Sequence, residues 1–544
     1  MNIIEALHDI ALKQPDAVGL KVTQTSADGR ISEVSQKTFG EMDHEADVWA
    51  TYFFANGFSR GKTVLLLVPP GEDLLIATFA LLRLGAVPIV IDPGMGLKNF
   101  FNCVRKTQPD LFLSIPRGRW LYYLLKPFVH FSNAVFLSDR LKHKLAKRDF
   151  ACTFKPETRP EDTAAVLFTS GSTGHPKGAV YTYDELNAQT EALIRTFDIR
   201  AGEVDFPLLP VFSLYNPAMG LTTVLPEINP SRPSTLDPKK IIPSILKHNV
   251  THSFGSPRLW TKLATYCEEH QVQFPSVKRL FLAGAPVHPT LLKRVQSLVP
   301  NGRVFTPYGA TEALPVACIT AEEVLRDTYQ QTLQGHGTCV GHPLPGVRVR
   351  IIPVTDEALD GLPNALPTGN IGEITVSAPY ISKRYLNDEA ATKNAKIYDT
   401  DGVLWHHMGD VGYLDKEGRL WFCGRKAERV ITTAGKIFYT DCCEAVFNTH
   451  EKVFRSALIA FNVKNQTVPA VVIEPKHPLP ETETKNLFKE LRRLALTCPV
   501  TEAIRHFGVY KNFPVDVRHN AKIHRLTLMR YFAKYPRKVQ TVED

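Results

Sequence analysis

The chain has 544 residues, 44% hydrophobic and 22% charged, an ordinary globular composition on a length that suggests about three domain-sized units rather than one core. Its net charge of +9 suits an anionic substrate or a membrane surface and is too mild at this length to argue for nucleic acid. Nine cysteines, an odd number with no C-x-x-C and two adjacent (Cys442, Cys443), argue against a disulfide framework or a thiolate metal site and for a reducing, cytoplasmic setting.

The opening "IIEALHDIALK" carries Glu5, His8 and Asp9 inside its apolar pattern and reads as an amphipathic helix, not a signal peptide. "EADVWATYFFANGF" is a second helix, ending at Gly57. "KTVLLLVPP" is a buried strand stopped by prolines, and "EDLLIATFALLRLGAVPIVID" a helix, a glycine turn and a strand. Arg83, Gly85 and Pro88 break the apolar run Leu74–Ile91, which excludes it as a membrane span. Helix–strand alternation of this kind predicts an α/β fold around largely parallel sheets. The segment Phe112–Phe131, "FLSIPRGRWLYYLLKPFVHF", admits an interfacial membrane patch or a greasy substrate mouth. We read it as a core helix whose Arg117, Arg119 and Lys126 snorkel to water.

In "TAAVLFTSGSTGHPKGAV" an apolar strand runs into six successive Ser, Thr and Gly residues, Thr169 to Gly174, and then Lys177. Glycines let backbone N–H groups converge and hydroxyls add donors, which makes a nest for phosphate. The P-loop motif fails, because Pro176 precedes Lys177 and Gly178 follows it.

"VTHSFGSP", "VKRLFLAGAP" and "GRVFTPYGATE" are further strands running into turns of small residues, and ligands of open α/β sheets gather at such carboxyl ends. In the last, Tyr308 can stack on a base, Thr311 can bond a phosphate and Glu312 can hold Mg²⁺. From about Gly337 short strands with polar turns ("VRVRIIPV", "GEITVSAP", "GRLWFCGR") predict an antiparallel, barrel-like section. "WHHMGDVGYLD" supplies Asp410, able to accept two ribose hydroxyls, with Arg425 downstream. The adjacent His406 and His407 point apart on a strand and make no metal site. After Gly424 a small α+β unit of roughly 120 residues follows, and "FPVDVRHNAKIHR" puts Lys522 in a turn within a basic tail.

Together and in this order, TSGSTGxPKG, YGxTE, Asp410, Arg425 and the lysine turn closely resemble the adenylate-forming superfamily of acyl-CoA synthetases, luciferases and peptide-synthetase adenylation domains. The resemblance implies a large domain over 1–425 and a mobile lid over 426–544, hinged near Ala427. It implies that Thr169, Ser170, Gly171, Ser172, Thr173, Gly174 and Lys177 close over the ATP phosphates. Thr311 would bond the α-phosphate and Glu312 hold Mg²⁺, with adenine between Tyr308–Gly309 and Gly284, Ala285 and Pro286. Asp410 and Arg425 would bind ribose, Phe212, Ser213 and Gly255 would line the acyl pocket, and Lys522 would neutralise charge during attack on the α-phosphate.

Departures from the family pattern narrow the reading. Ala427 stands where acyl-CoA synthetases carry a hinge Asp or Lys, the lysine downstream is missing, and Ser213 replaces a histidine. "LPVFSLYNPAMG", "GRKAERV", "YTDCCEAVFN" and "FPVDVRHNAKIHR" resemble the olefin β-lactone synthetases of long-chain hydrocarbon biosynthesis. That branch implies a long-chain 2-alkyl-3-hydroxy acid whose own hydroxyl attacks the acyl-adenylate, with a fatty acyl-CoA ligase as the alternative. His175, His336 and His519 stay open as the base. The branch also implies pathway partners, a condensing enzyme, a reductase and a lactone decarboxylase, and leaves peripheral membrane contact open.

Overall fold

The computed structural model describes residues 3–26, 30–91, 95–147, 158–169, 176–228, 235–357, 359–515 and 523–543. The α/β architecture is as the alternation predicts. One sheet has seven strands, in the order Arg384–Tyr385, Lys177–Thr182, Thr163–Thr169, Val87–Val90, Thr63–Leu67, Leu111–Ser114 and Asn133–Phe136. Its five central and far strands run parallel, and the hairpin of Thr163–Thr169 with Lys177–Thr182 is antiparallel. The helix Glu72–Arg83 packs Leu75, Ile76, Phe79 and Leu81 into the core on this sheet. Arg83, the charge that interrupts the apolar run, is 5% exposed and ion-paired with Asp43 and Asp47 of the helix Phe39–Ala55. A buried cation is tolerable only when paired in this way.

The larger sheet joins a parallel part (Thr222–Leu225, Val204–Asp205, His252–Gly255, Arg279–Leu282, Arg303–Ala310) to an antiparallel part. The strands read from Gly337 onward form that antiparallel part, from Thr338–Pro343 to Arg348–Ile352 at its edge. Among the described residues no ladder closes them into a separate barrel.

Past Arg425 a separate four-stranded sheet is built on the long hairpin Val453–Val463/Gln466–Pro475. Lys464 and Asn465 both have positive φ, the two-residue turn whose twist matches that of the strands. The helices Thr440–Phe447, Glu481–Leu496 and Arg525–Lys534 pack on this sheet around cores of their own.

The segment Phe112–Phe131 departs from the core-helix expectation. Its helix is only Arg119–Leu125, and of its residues only Leu125 is buried. Trp120, Tyr123, Leu124 and Phe128 face solvent. The physical reason is position: the chain here runs between Leu111–Ser114 and the edge strand Asn133–Phe136, where a two-turn helix has little sheet to cover. The eight described cysteines are all free and seven are buried, apolar fillers as read. No helix among the described residues is long and apolar enough to cross a membrane.

Candidate active site

The strands His252–Gly255, Arg279–Leu282 and Arg303–Ala310 are parallel neighbours, so their carboxyl ends open at one edge. Gly284, with φ of 89°, Ala285 and Pro286 leave the middle strand there, and Tyr308 lies near the end of the third, which runs to Ala310. Gly309 must be glycine, because a Cβ would sit 2.5 Å from the Ala313 carbonyl across the hairpin. From the antiparallel part, Asp410 on Leu404–Leu414 stands opposite Arg425 on Leu420–Arg425.

These residues meet. Tyr308 donates its hydroxyl to Asp410 Oδ2 at 2.6 Å, and Arg425 Nη1 lies 2.7 Å from Asp410 Oδ1. Asp410 is 2% exposed. Its Oδ1 has the arginine charge beside it but no aligned hydrogen bond. Burial therefore raises the carboxyl pKa, with Arg425 and Tyr308 opposing. Burial and the Asp410 charge push the Tyr308 hydroxyl well up, so it stays a donor. A buried carboxylate oxygen without a matched donor is an acceptor held ready for a ligand hydroxyl.

On the phosphate side, Thr169 and Lys177 face each other across the hairpin. Ser170, Gly171, Ser172, Thr173, Gly174 and His175 lie outside the described residues, as do His519 and Lys522. Val515 and Ile523, on either side of residues 516–522, form an antiparallel bridge. Lys177 Nζ lies 5.2 Å from the centre of the Tyr385 ring, and Tyr385 donates to Glu312 Oε1 at 2.7 Å. Tyr181 donates to the Thr311 carbonyl, and the Ser382 amide donates to the Glu312 carbonyl at 3.0 Å. Glu312, 8% exposed, is thus fixed with carboxylate acceptor capacity to spare. Among the described residues no group of three or more His, Cys, Asp or Glu could hold a metal alone. One carboxylate suits Mg²⁺, which keeps waters and takes its remaining oxygens from phosphates.

Sequence reasoning missed Tyr385 and Lys396. Lys396 is 7% exposed; its ammonium reaches Ser382 Oγ at 3.4 Å and lies 5.8 Å from the Tyr385 ring centre. Burial pulls its pKa down to about 7, against the attraction of Glu312 and Glu185. His406, its partner across the strands, is buried, and burial and then Lys396 keep it neutral. The one sequence signal was a lysine inside the otherwise apolar "AKIY", which nothing else in the motif set explained.

Around the residues expected to line an acyl pocket, the rings of Phe212 and Phe254 lie 4.2 Å apart and Ser213 is 2% exposed. The space beside Gly255 is filled: a Cβ would meet Trp260 Nε1 at 2.8 Å and Leu208 at 2.9 Å. Gly255 therefore lets the indole pack against the strand. His336 sits under Trp421 at 6.4 Å between ring centres and accepts from Tyr413 through its carbonyl at 3.1 Å.

Ala427 is exposed in a short turn between two anchored neighbours. Lys426 binds Glu373 at 2.9 Å and the Thr355 carbonyl at 2.8 Å, while Glu428 pairs with Arg525 at 2.7 Å. Arg525 also grips the buried Glu444 through both carboxylate oxygens.

Three comparisons bear on this arrangement. The AMP-binding enzyme family matches residues 9–386. An olefin β-lactone synthetase of Xanthomonas campestris pv. campestris is 37% identical, covering 98% of each chain. One of Stenotrophomonas maltophilia is 38% identical, covering 96% of each. In fold the chain is similar to the ATP-bound MatB of Rhodopseudomonas palustris, with TM-score 0.78, 18% identity and coverage of 98% of this chain and 100% of that one. The O-succinylbenzoate coenzyme A synthetase of Bacillus subtilis with AMP gives a TM-score of 0.76 at 21% identity, over 96% and 98% of the two chains.

Proposed function

Because the chain belongs to the AMP-binding enzyme family and is an AMP-forming ligase, we propose that it activates a long-chain 2-alkyl-3-hydroxy acid with ATP and closes it to a β-lactone. A carboxylate oxygen of the acid attacks the α-phosphorus, the bond to the β-phosphate oxygen breaks, and pyrophosphate leaves. The 3-hydroxyl oxygen of the same molecule then attacks the acyl carbon and gives up its proton as AMP departs. Tethering the nucleophile is worth roughly 7–11 kcal/mol at best, less the strain of a four-membered ring.

In this reading Asp410 and Arg425 take the ribose hydroxyls, Tyr308 with Gly284–Pro286 brackets the adenine, and Thr311, Lys177 and the Thr169–Gly174 loop hold the phosphates. Glu312, steadied by Tyr385, holds Mg²⁺, which when bound offsets phosphate charge. Lys522 neutralises the charge that develops on attack, and the unit over 426–544 swings about Ala427 to deliver it. Phe212, Ser213 and the Gly255 strand border the acyl chain. The observation that carries the nucleotide part is Asp410, buried beside Arg425 and Tyr308 with one oxygen lacking an aligned donor. The near full-length identity to two olefin β-lactone synthetases carries the lactone part. On this reading, reactions that join two acyl chains and reduce the resulting ketone supply the substrate, and a decarboxylation consumes the lactone.

The test compares the hydroxy acid with the same acid lacking its 3-hydroxyl. Both should drive ATP–pyrophosphate exchange, and only the hydroxy acid should release AMP catalytically without coenzyme A. Equal AMP turnover from the two acids would remove the intramolecular step, and loss of exchange in both would remove the adenylation.

A further inference from the structure

Residues 97–131 hold six Lys and Arg (Lys98, Arg105, Lys106, Arg117, Arg119, Lys126) against one acid, Asp110, a net +5 out of the chain's +9. All six basic residues are exposed. Asp110 is turned to Lys62 and Thr63, and Lys106 alone of the six pairs with a described carboxylate, Asp388. The same stretch exposes four large apolar side chains within nine residues: Trp120 at 61%, Tyr123 at 62%, Leu124 at 46% and Phe128 at 54%.

These features lie together. The helix Leu97–Thr107 and the segment after Leu125 share one core, where Phe100, Cys103 and Val104 meet Leu125, Val129 and Phe131. Gln108 Nε2 reaches both the Arg105 carbonyl at 2.8 Å and the Phe128 carbonyl at 3.4 Å. The last turn of the long helix, with Arg105 and Lys106, therefore stands beside Phe128. Leu97, at the other end of that helix, is 65% exposed.

Trp and Tyr suit a membrane interface, with an apolar body and a polar edge. The basic residues around them, five of which pair with no described carboxylate although Arg119 stacks over Phe136 at 5.0 Å, suit anionic headgroups. With no helix among the described residues able to span a bilayer, the chemistry is that of a surface that lies on lipid. We propose that this patch docks the protein onto a membrane rich in anionic lipid. The use of such docking, to collect a substrate with two long alkyl chains from the bilayer, rests on the function proposed above; the docking itself does not.

The chain carries its own reporter. It has five tryptophans, of which Trp49, Trp260, Trp405 and Trp421 are at most 3% exposed. Trp120 alone stands in water. The experiment adds the full-length protein, without substrate, to vesicles of phosphatidylcholine with or without phosphatidylglycerol. Binding is followed by flotation, and Trp120 by emission and acrylamide quenching.

With the anionic vesicles the emission should shift to the blue, quenching should fall and the protein should float; with phosphatidylcholine alone it should stay in solution. Arg117→Ala with Lys126→Ala should weaken partitioning roughly 30-fold, about 5-fold for each basic residue near the surface. Tyr123→Glu with Phe128→Glu should abolish flotation, while ATP–pyrophosphate exchange with detergent-solubilised acid stays unchanged. Trp120→Phe should silence the optical signal and still float. Three outcomes overturn the proposal: no flotation with anionic vesicles, flotation indifferent to both pairs of substitutions, or Trp120 already shielded without lipid in a concentration-dependent way. The last would assign the patch to a second copy of the chain. Failure of exchange with intact flotation would strike the proposed function and leave the docking standing.

Discussion

The proposed nucleotide edge and the turn at Lys426–Glu428 are neighbours in sequence, yet they treat charge differently. At the turn, Lys426, Glu428 and Arg429 each end on an opposite charge, at Glu373, Arg525 and Asp356, although Arg429 Nε is buried without a hydrogen bond. At the edge, Asp410 keeps one buried oxygen without an aligned donor, Glu312 is bound by Tyr385 at one oxygen, and Lys396 is buried against a hydroxyl and a ring. A matched cluster fixes geometry. An unmatched one gives up stability to keep acceptors and charge available for a ligand. Under the proposed function, the contrast separates residues that hold the molecule from residues that wait for a substrate.

Breaking the matched side should cost most in stability. Arg525→Leu leaves Glu444 buried without its cation, a loss of about 3–5 kcal/mol to be read in urea unfolding. A change under about 1 kcal/mol would mean the cluster is not matched as drawn. Breaking the unmatched side should cost function. Asp410→Ala removes both acceptor oxygens, and charged hydrogen bonds at about 1.5–3 kcal/mol each make the expected fall in ATP–pyrophosphate exchange about 100-fold or more. Smaller is Tyr385→Phe, which frees Glu312 Oε1. The magnesium concentration for half-maximal exchange should rise about 10-fold, with the unfolding midpoint little moved.

The smallest effect sharpens the comparison through pH. Burial pulls the Lys396 pKa in the folded chain down to about 7 from the ordinary lysine value of 10.5, so between those values the unfolded chain binds more protons than the folded one. Stability should therefore rise with pH across that window. Lys396→Met should flatten the rise and lift the melting temperature at pH 7. An unchanged slope would show that the ammonium is solvated in the folded state.

Much of this was legible in the sequence because it depends on local order. The strands that end in Gly255, Leu282 and Ala310 and the helix that stops at Arg83 follow from apolar runs punctuated by glycine and proline, whereas Asp410 and Arg425 were legible only as single motif residues and their ion pair was not. Tyr385 and Lys396 were not legible, since they reach Glu312 only through the pairing of Arg384–Tyr385 with Lys177–Thr182 and of Lys396–Tyr398 with Leu404–Leu414. No motif encodes those long-range contacts. The Phe112–Phe131 segment misled because an aromatic and leucine pattern specifies an amphipathic helix, whereas its burial depends on how much sheet lies beneath it. The pairs Lys426–Glu373 and Arg525–Glu444 were equally invisible, each joining residues more than fifty positions apart.

The account turns on where the acyl group goes after adenylation. The measurement is product analysis by NMR, with AMP release in parallel, on the purified chain given ATP, Mg²⁺ and a long-chain 2-alkyl-3-hydroxy acid, with and without coenzyme A. The account predicts β-lactone and stoichiometric AMP in both samples at equal rates. A thioester formed only with coenzyme A, and no lactone in either sample, would contradict it and make the chain an acyl-CoA ligase.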